Sequence, residues 1–145
     1  MEGPLSRHRA SVIWEGSKRD LRAHRIELAS QSLAGSSAPG LGGDPLKADP
    51  EQMFVASLSA CHMLWFLALA RERRLRVRSY SDEAEGFLDG RRITRVELRP
   101  KAEFEEEPGA DELAELHHEA HERCFIANSV SCPVEVDPPD AGRGV

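Results

Sequence analysis

A chain of 145 residues has room for one compact domain built around its own core. With 40% hydrophobic and 30% charged residues it cannot be wholly disordered, and a formal net charge of -6 argues against a surface devoted to nucleic acid. Three cysteines are too few, and odd in number, for a disulfide-stapled secreted scaffold, so a soluble cytoplasmic protein is expected.

Residues 1–9 are polar and lack the apolar stretch of a signal peptide. They and residues 138–145, a Pro/Gly tail, are expected to be disordered at the ends of a single domain spanning 1–145. Residues 10–14 (ASVIW) read as a short strand, followed by a turn at Glu15-Gly16-Ser17-Lys18 and a second, arginine-rich strand over 21–29. The stretch 35–43 (GSSAPGLGG) has four Gly, two Ser and one Pro in nine residues, a loop composition. A long helix then starts at a clear boundary: Asp49 as N-cap, Pro50 in the first helical position, and Gln52 at capping-box spacing from Asp49. Running to Arg73, it would be about 36 Å long at 1.5 Å per residue.

Within that helix, residues 53–70 (MFVASLSACHMLWFLALA) hold no charged side chain apart from the titratable His62. Eighteen residues sit at the lower edge of a membrane span. The polar Ser57, Ser59, Cys61 and His62 in its middle favour a buried central helix, covered by a sheet or by a partner chain. Residues 75–88 and 93–104 are strand candidates joined at Asp89-Gly90, with Pro100 marking an edge or a bulge. Pro108-Gly109 breaks the chain before a second helix over 110–124, whose apolar face runs Leu113, Leu116, Ala120, Cys124. A last strand covers 132–136. The order strands, helix, hairpin, helix, strand indicates an α+β fold without internal repeat.

The residues alone leave the cysteines open. Cys61, mid-helix, fits ordinary core packing. Reactivity would require a thiolate, which apolar burial opposes and the helix dipole, confined to the first turn, cannot stabilise three turns in. A cation from Lys18, Arg19, Arg22 or Arg25 would be needed, although these also fit a solvated hairpin. Glu51 suits the helix N-terminus as a first-turn carboxylate, and on a continuous helix it lies about 15 Å along the axis from Cys61. His117, His121 and Cys124 stand at i, i+4 and i+7, with ligand types that suit a borderline metal but match no closed zinc pattern. Surface histidines beside a helix-end cysteine explain the same residues.

Two segments taken together go further. DPEQMFVASLSACHM places Pro-Glu ten residues before a mid-helix cysteine, and AHERCFIANSVSCPV carries Cys-x-x-x-Asn-Ser after a helix, with 62 residues between Cys61 and Cys124. This pair resembles the osmotically induced protein C and organic hydroperoxide resistance family (OsmC/Ohr), over residues 10–136 in element order. Phe125, where the family often has proline, and the run His62-Met63-Leu64-Trp65 are similar to a divergent OsmC-like subgroup.

The resemblance implies an intertwined homodimer in which antiparallel sheets wrap long central helices. It implies Cys61 as the peroxidatic thiolate and Cys124 as its disulfide partner, reduced by an external dithiol such as a lipoyl protein, in oxidative-stress defence without metal or flavin. It further implies an arginine after the first strand, by position Arg19 with Lys18 and Arg22 close by, paired with the Glu51 carboxylate to stabilise the thiolate. Phe54, Met63, Trp65 and Phe125 become candidate walls of an apolar substrate pocket, and Cys132 has no assigned role. Two rivals remain: a metal-binding module using His117, His121 and Cys124, and a non-catalytic dimer of the same fold that binds a hydrophobic ligand. Neither nucleic acid nor a membrane is expected as a partner.

Overall fold

The structure is a computed structural model that describes residues 5–16 and 18–137. The chain falls into two units, residues 1–53 and 54–145. In the first, strands β1 (Ser11–Ile13), β2 (His24–Leu28) and β3 (Gln31–Gly35) form an antiparallel sheet in that order. β3 is an element that sequence patterning does not announce. QSLAG is short and has no β-branched or aromatic residue, and pairing with β2 is what makes it extended. The turn between them places Ala29 at φ 55°, and Gly35 is needed because a Cβ there would lie 2.4 Å from His24 Nε2. Ile26 is the buried hydrophobic residue of this sheet, whereas Val12, Trp14, Leu28 and Leu33 remain exposed.

The expected start of the long helix α1 (Pro50–Glu72) is present in full. Asp49 Oδ1 accepts the Gln52 N–H at 2.7 Å, and Gln52 Oε1 accepts the Asp49 N–H at 3.0 Å, a reciprocal capping box. The boundary between the units falls in the first turn of α1. By length and composition the helix could cross a membrane, but its polar middle is engaged by protein. Ser59 Oγ donates to Asp82 Oδ2 at 2.5 Å, and His62 is fully buried.

In the second unit the two expected long strands each break in two. They yield β4 (Val77–Asp82), β5 (Glu85–Asp89), β6 (Arg92–Leu98) and β7 (Pro100–Phe104). The hairpin turn has Gly90 at φ 66° with Asp89 opposite Arg92. Asp82 explains the break: besides holding Ser59, it accepts the Arg99 N–H at 2.6 Å through Oδ1. That side chain serves both chain segments where the ladder lapses, so β4 pairs with β7 in one sheet and β5 with β6 in another. After α2 (Ala110–Arg123), the last strand β8 (Val134–Val136) joins β6 in parallel, with Val134 opposite Val96. It is shorter than the expected 132–136.

α1 serves two clusters. Leu58 packs with Val96, Leu98 and Cys132, and the next turns bring Phe66, Leu69 and Ala70 against Phe104, Leu116 and Ala120. Burying side chains of this size stabilises by about 1.5–3 kcal/mol each. Within its own chain the expected cover of this helix is partial. Only 28% of its apolar 18-residue stretch is buried within the chain, and Ala56, Ala60, Leu64 and Ala68, an i, i+4 stripe, are exposed. Of the ends expected to be disordered, residues 1–4 and 138–145 lie outside the described residues, and residues 5–9 have no regular structure.

Candidate active site

α1 and α2 lie antiparallel, and their side chains meet in order along the contact. Cys61 meets Cys124 at one end, His62 and Phe66 meet His117 in the middle, and Arg73 reaches Glu115 and Glu119 at 3.4 and 3.2 Å at the other end. The two side chains are close enough for Cys61 to act on the titration of Cys124. Both are free, Cys61 half-buried and Cys124 buried.

Cys124 is the C-cap of α2, at φ -65° and ψ 113°, where the chain leaves the helix. The following turn is built on its sequence. Asn128 N–H donates to the Cys124 carbonyl at 3.0 Å, and Asn128 Nδ2 donates to the Glu122 carbonyl at 3.0 Å, satisfying helix-end acceptors. Ser129 Oγ donates to the Phe125 carbonyl at 2.7 Å. The Asn and Ser of Cys-x-x-x-Asn-Ser thus hold the second thiol in place, a positioning role that sequence spacing alone did not explain. Ala127 N–H donates to Cys124 Sγ at 3.4 Å.

Burial pushes the Cys124 thiol up to about 11, and the neighbouring Cys61 adds to the rise. N–H groups of Ala127 and Ile126 offset part of it. Cys124 is therefore held as a protonated thiol at neutral pH, which disfavours a thiolate on this sulfur.

Of the four candidate pocket walls, Trp65 and Phe125 touch. Trp65 is one turn beyond Cys61, Phe125 follows Cys124, and their rings meet edge to face at 5.5 Å. The Arg123 guanidinium lies 5.6 Å over the Trp65 ring, and Phe125 is 57% exposed. Phe54 instead packs on the Leu58 cluster.

His62, next to Cys61 in sequence, was named for its polarity and its place in the His62-Met63-Leu64-Trp65 run but not as a site residue, since a buried imidazole looks like any polar residue on a helix. Its Nε2 is 3.0 Å from His117 Nδ1 with the two rings nearly coplanar. Burial, followed by the nearby His117 and His121, lowers it to about 4, so it is neutral at physiological pH.

Arg19 and Glu51 belong to the first unit and both thiols to the second. Arg19 and Lys18 are exposed. Arg25 pairs with Glu15 and Glu27, and the Arg22 side chain lies against Gly42, where an added Cβ would come within 3.1 Å of its Cζ. The metal alternative loses its geometry: Cys124 faces Cys61, and among the described residues no three His, Cys, Asp or Glu side chains are placed to hold an ion. Cys132 is a core residue of the Leu58 cluster.

Against this geometry, the family model for OsmC-like proteins matches residues 42–138. An OsmC-like protein of unknown function from Vibrio cholerae is 37% identical, with a TM-score of 0.85 over 91% of this chain and 98% of its own. An organic hydroperoxide resistance protein OsmC from Legionella pneumophila is 21% identical, with a TM-score of 0.70 over 92% of this chain and 96% of its own. One from Elizabethkingia anophelis, with crystallant-derived thiocyanate bound, is 20% identical at a TM-score of 0.71, covering 94% and 96%. At that identity the last two establish likeness of fold alone. Among curated proteins there is no match.

Proposed function

The chain belongs to the OsmC-like family, and on that premise we propose that it is a thiol-dependent peroxidase that reduces organic hydroperoxides in the cytoplasm. The observation that carries this reading is that Cys61 of α1 and Cys124 at the end of α2 are two free thiols placed as neighbours. The Cys61 thiolate attacks the terminal oxygen of ROOH, the O–O bond breaks, and Cys61 becomes a sulfenic acid while the alkoxide takes a proton and leaves as alcohol. Cys124 then attacks the Cys61 sulfur. The S–O bond breaks, the disulfide forms, and the Cys124 proton leaves with the hydroxyl as water. An external dithiol, such as a protein-bound lipoyl group, returns both thiols.

Arg19 and Glu51 are the proposed partners of the Cys61 thiolate, in a homodimer whose subunits cover the apolar stripe of α1. Trp65 and Phe125 supply an apolar wall beside the thiols, suited to the organic part of the peroxide. The Cys61→Ser variant is expected to consume no cumene hydroperoxide with dithiothreitol or a dihydrolipoyl donor as reductant. Unchanged turnover in that variant, or thiols that stay free after peroxide treatment of the unmodified protein, would overturn the reading in favour of a non-catalytic ligand-binding dimer.

A further inference from the structure

A second site lies on the other side of the histidine pair. α2 leaves a cleft of about 550 Å³ against β7 and β8, and neither redox thiol lines it. Its walls are aliphatic: Pro100, Ala102, Leu113, Val134 and Val136. A few polar groups converge on this apolar space, which is the composition of a small-molecule site rather than of a packing defect. They are His117 and His121 from α2, His118 at the same helix face, and Asp137 just past β8. His118 is engaged by Glu122 at 3.3 Å. The Nδ1 of His121 is buried without a hydrogen-bond partner among the described residues.

The hydrogen-bond pattern limits what that molecule is. His62 Nδ1 is also buried and unpartnered. An orphaned N–H costs more than an orphaned lone pair, so the favoured tautomer has His62 Nε2–H donating to His117 Nδ1. His117 then carries its remaining proton on Nε2, a donor for the cleft. Asp137, whose charge is felt at the His117 ring, is an acceptor. Donor and carboxylate together suit a group that accepts one hydrogen bond and donates one. A hydroxyl does both. A carboxylate would face Asp137, and an ammonium, though drawn to Asp137, would leave the His117 N–H without an acceptor. Burial holds His62 and His117 low, so at neutral pH neither ring offers a positive charge to attract an anion.

We propose that the cleft between α2, β7 and β8 binds an uncharged aliphatic molecule with a hydroxyl head group, held between the His117 Nε2–H and the Asp137 carboxylate. The site is separate from the thiols and does not depend on the peroxidase reading.

Titration of the full-length protein at pH 7.5 with n-octanol, octanoate and octylamine, followed by amide NMR, tests it. Octanol is expected to shift residues on both walls, Ala102 and Leu113 on one side and Val134 and Val136 on the other. It should bind about tenfold more tightly than either ion, the scale of one lost hydrogen bond to a charged or buried group. Ala114→Trp, placed on the exposed face of α2 at the cleft rim, should abolish binding with the fold intact, and Asp137→Asn should narrow the gap between octanol and octanoate. Cys61→Ser should bind octanol unchanged, which separates this site from the redox pair. No shifts in the cleft at saturating octanol, octanoate binding as tightly as octanol, or shifts confined to Trp65 and Phe125 would each overturn the proposal.

Discussion

Cys61 and His62 are neighbours in sequence that face different chemistry. The first meets a thiol and the second an imidazole, because successive helix positions turn by about 100°. In the proposed cycle Cys124, held as a thiol, traps an oxidised Cys61. The Cys124→Ser variant is therefore expected to lose the intramolecular disulfide and to accumulate sulfinic and sulfonic Cys61 under peroxide, read by intact mass. His62 gives a separate prediction about stability. Its ordinary value of 6.5 is lowered to about 4 in the fold, so the folded state disfavours the imidazolium. Stability from this residue is complete above pH 6.5 and is lost as pH falls through 4, by about 3 kcal/mol in total. His117 shifts in the same direction. Urea unfolding at pH 7.5 and pH 4 should show this loss in the native protein and a smaller one in His62→Phe. An equal loss in both would contradict it.

At the level of elements, the helices were legible and the strands only partly so. α1 was announced by Asp49, Pro50 and Gln52, all local signals, and the same residues cap it. α2 was announced by the spacing of Leu113, Leu116, Ala120 and Cys124; Leu113 is half-buried and the other three are buried, with Cys124 as the cap one residue past the helix end. β3 escaped because its extension depends on β2, and the splitting of the long hairpin escaped because it turns on Asp82 reaching both Ser59 and Arg99. Those are contacts distant in sequence, invisible to periodicity. In the site, the two cysteines could be named from their segments, whereas the tie from Asn128 to the end of α2 needed coordinates. Asn128→Ala is expected to cost about 1 kcal/mol by removing that cap, measurable by thermal unfolding. Leu116→Ala, at the centre of the α1–α2 contact, should cost about 2–5 kcal/mol through the cavity it leaves.

For the molecule as a whole, the exposed apolar surface is the unfinished part. Ala56, Ala60, Leu64 and Ala68 line one side of α1, with Leu64 62% exposed, while Val12, Trp14 and Leu33 stand uncovered in the first unit. An exposed apolar stripe along one side of a helix is the kind of surface the proposed dimer would cover. Leu64→Arg is expected to convert a dimer to monomer in sedimentation at micromolar concentration, and an unchanged mass would place the interface elsewhere. The oxidised protein tests the central claim most directly. After one equivalent of cumene hydroperoxide, peptide mapping by mass spectrometry under non-reducing conditions should find Cys61 joined to Cys124, with Cys132 free. A Cys61–Cys132 bridge, or Cys61 and Cys124 both still reduced, would contradict it.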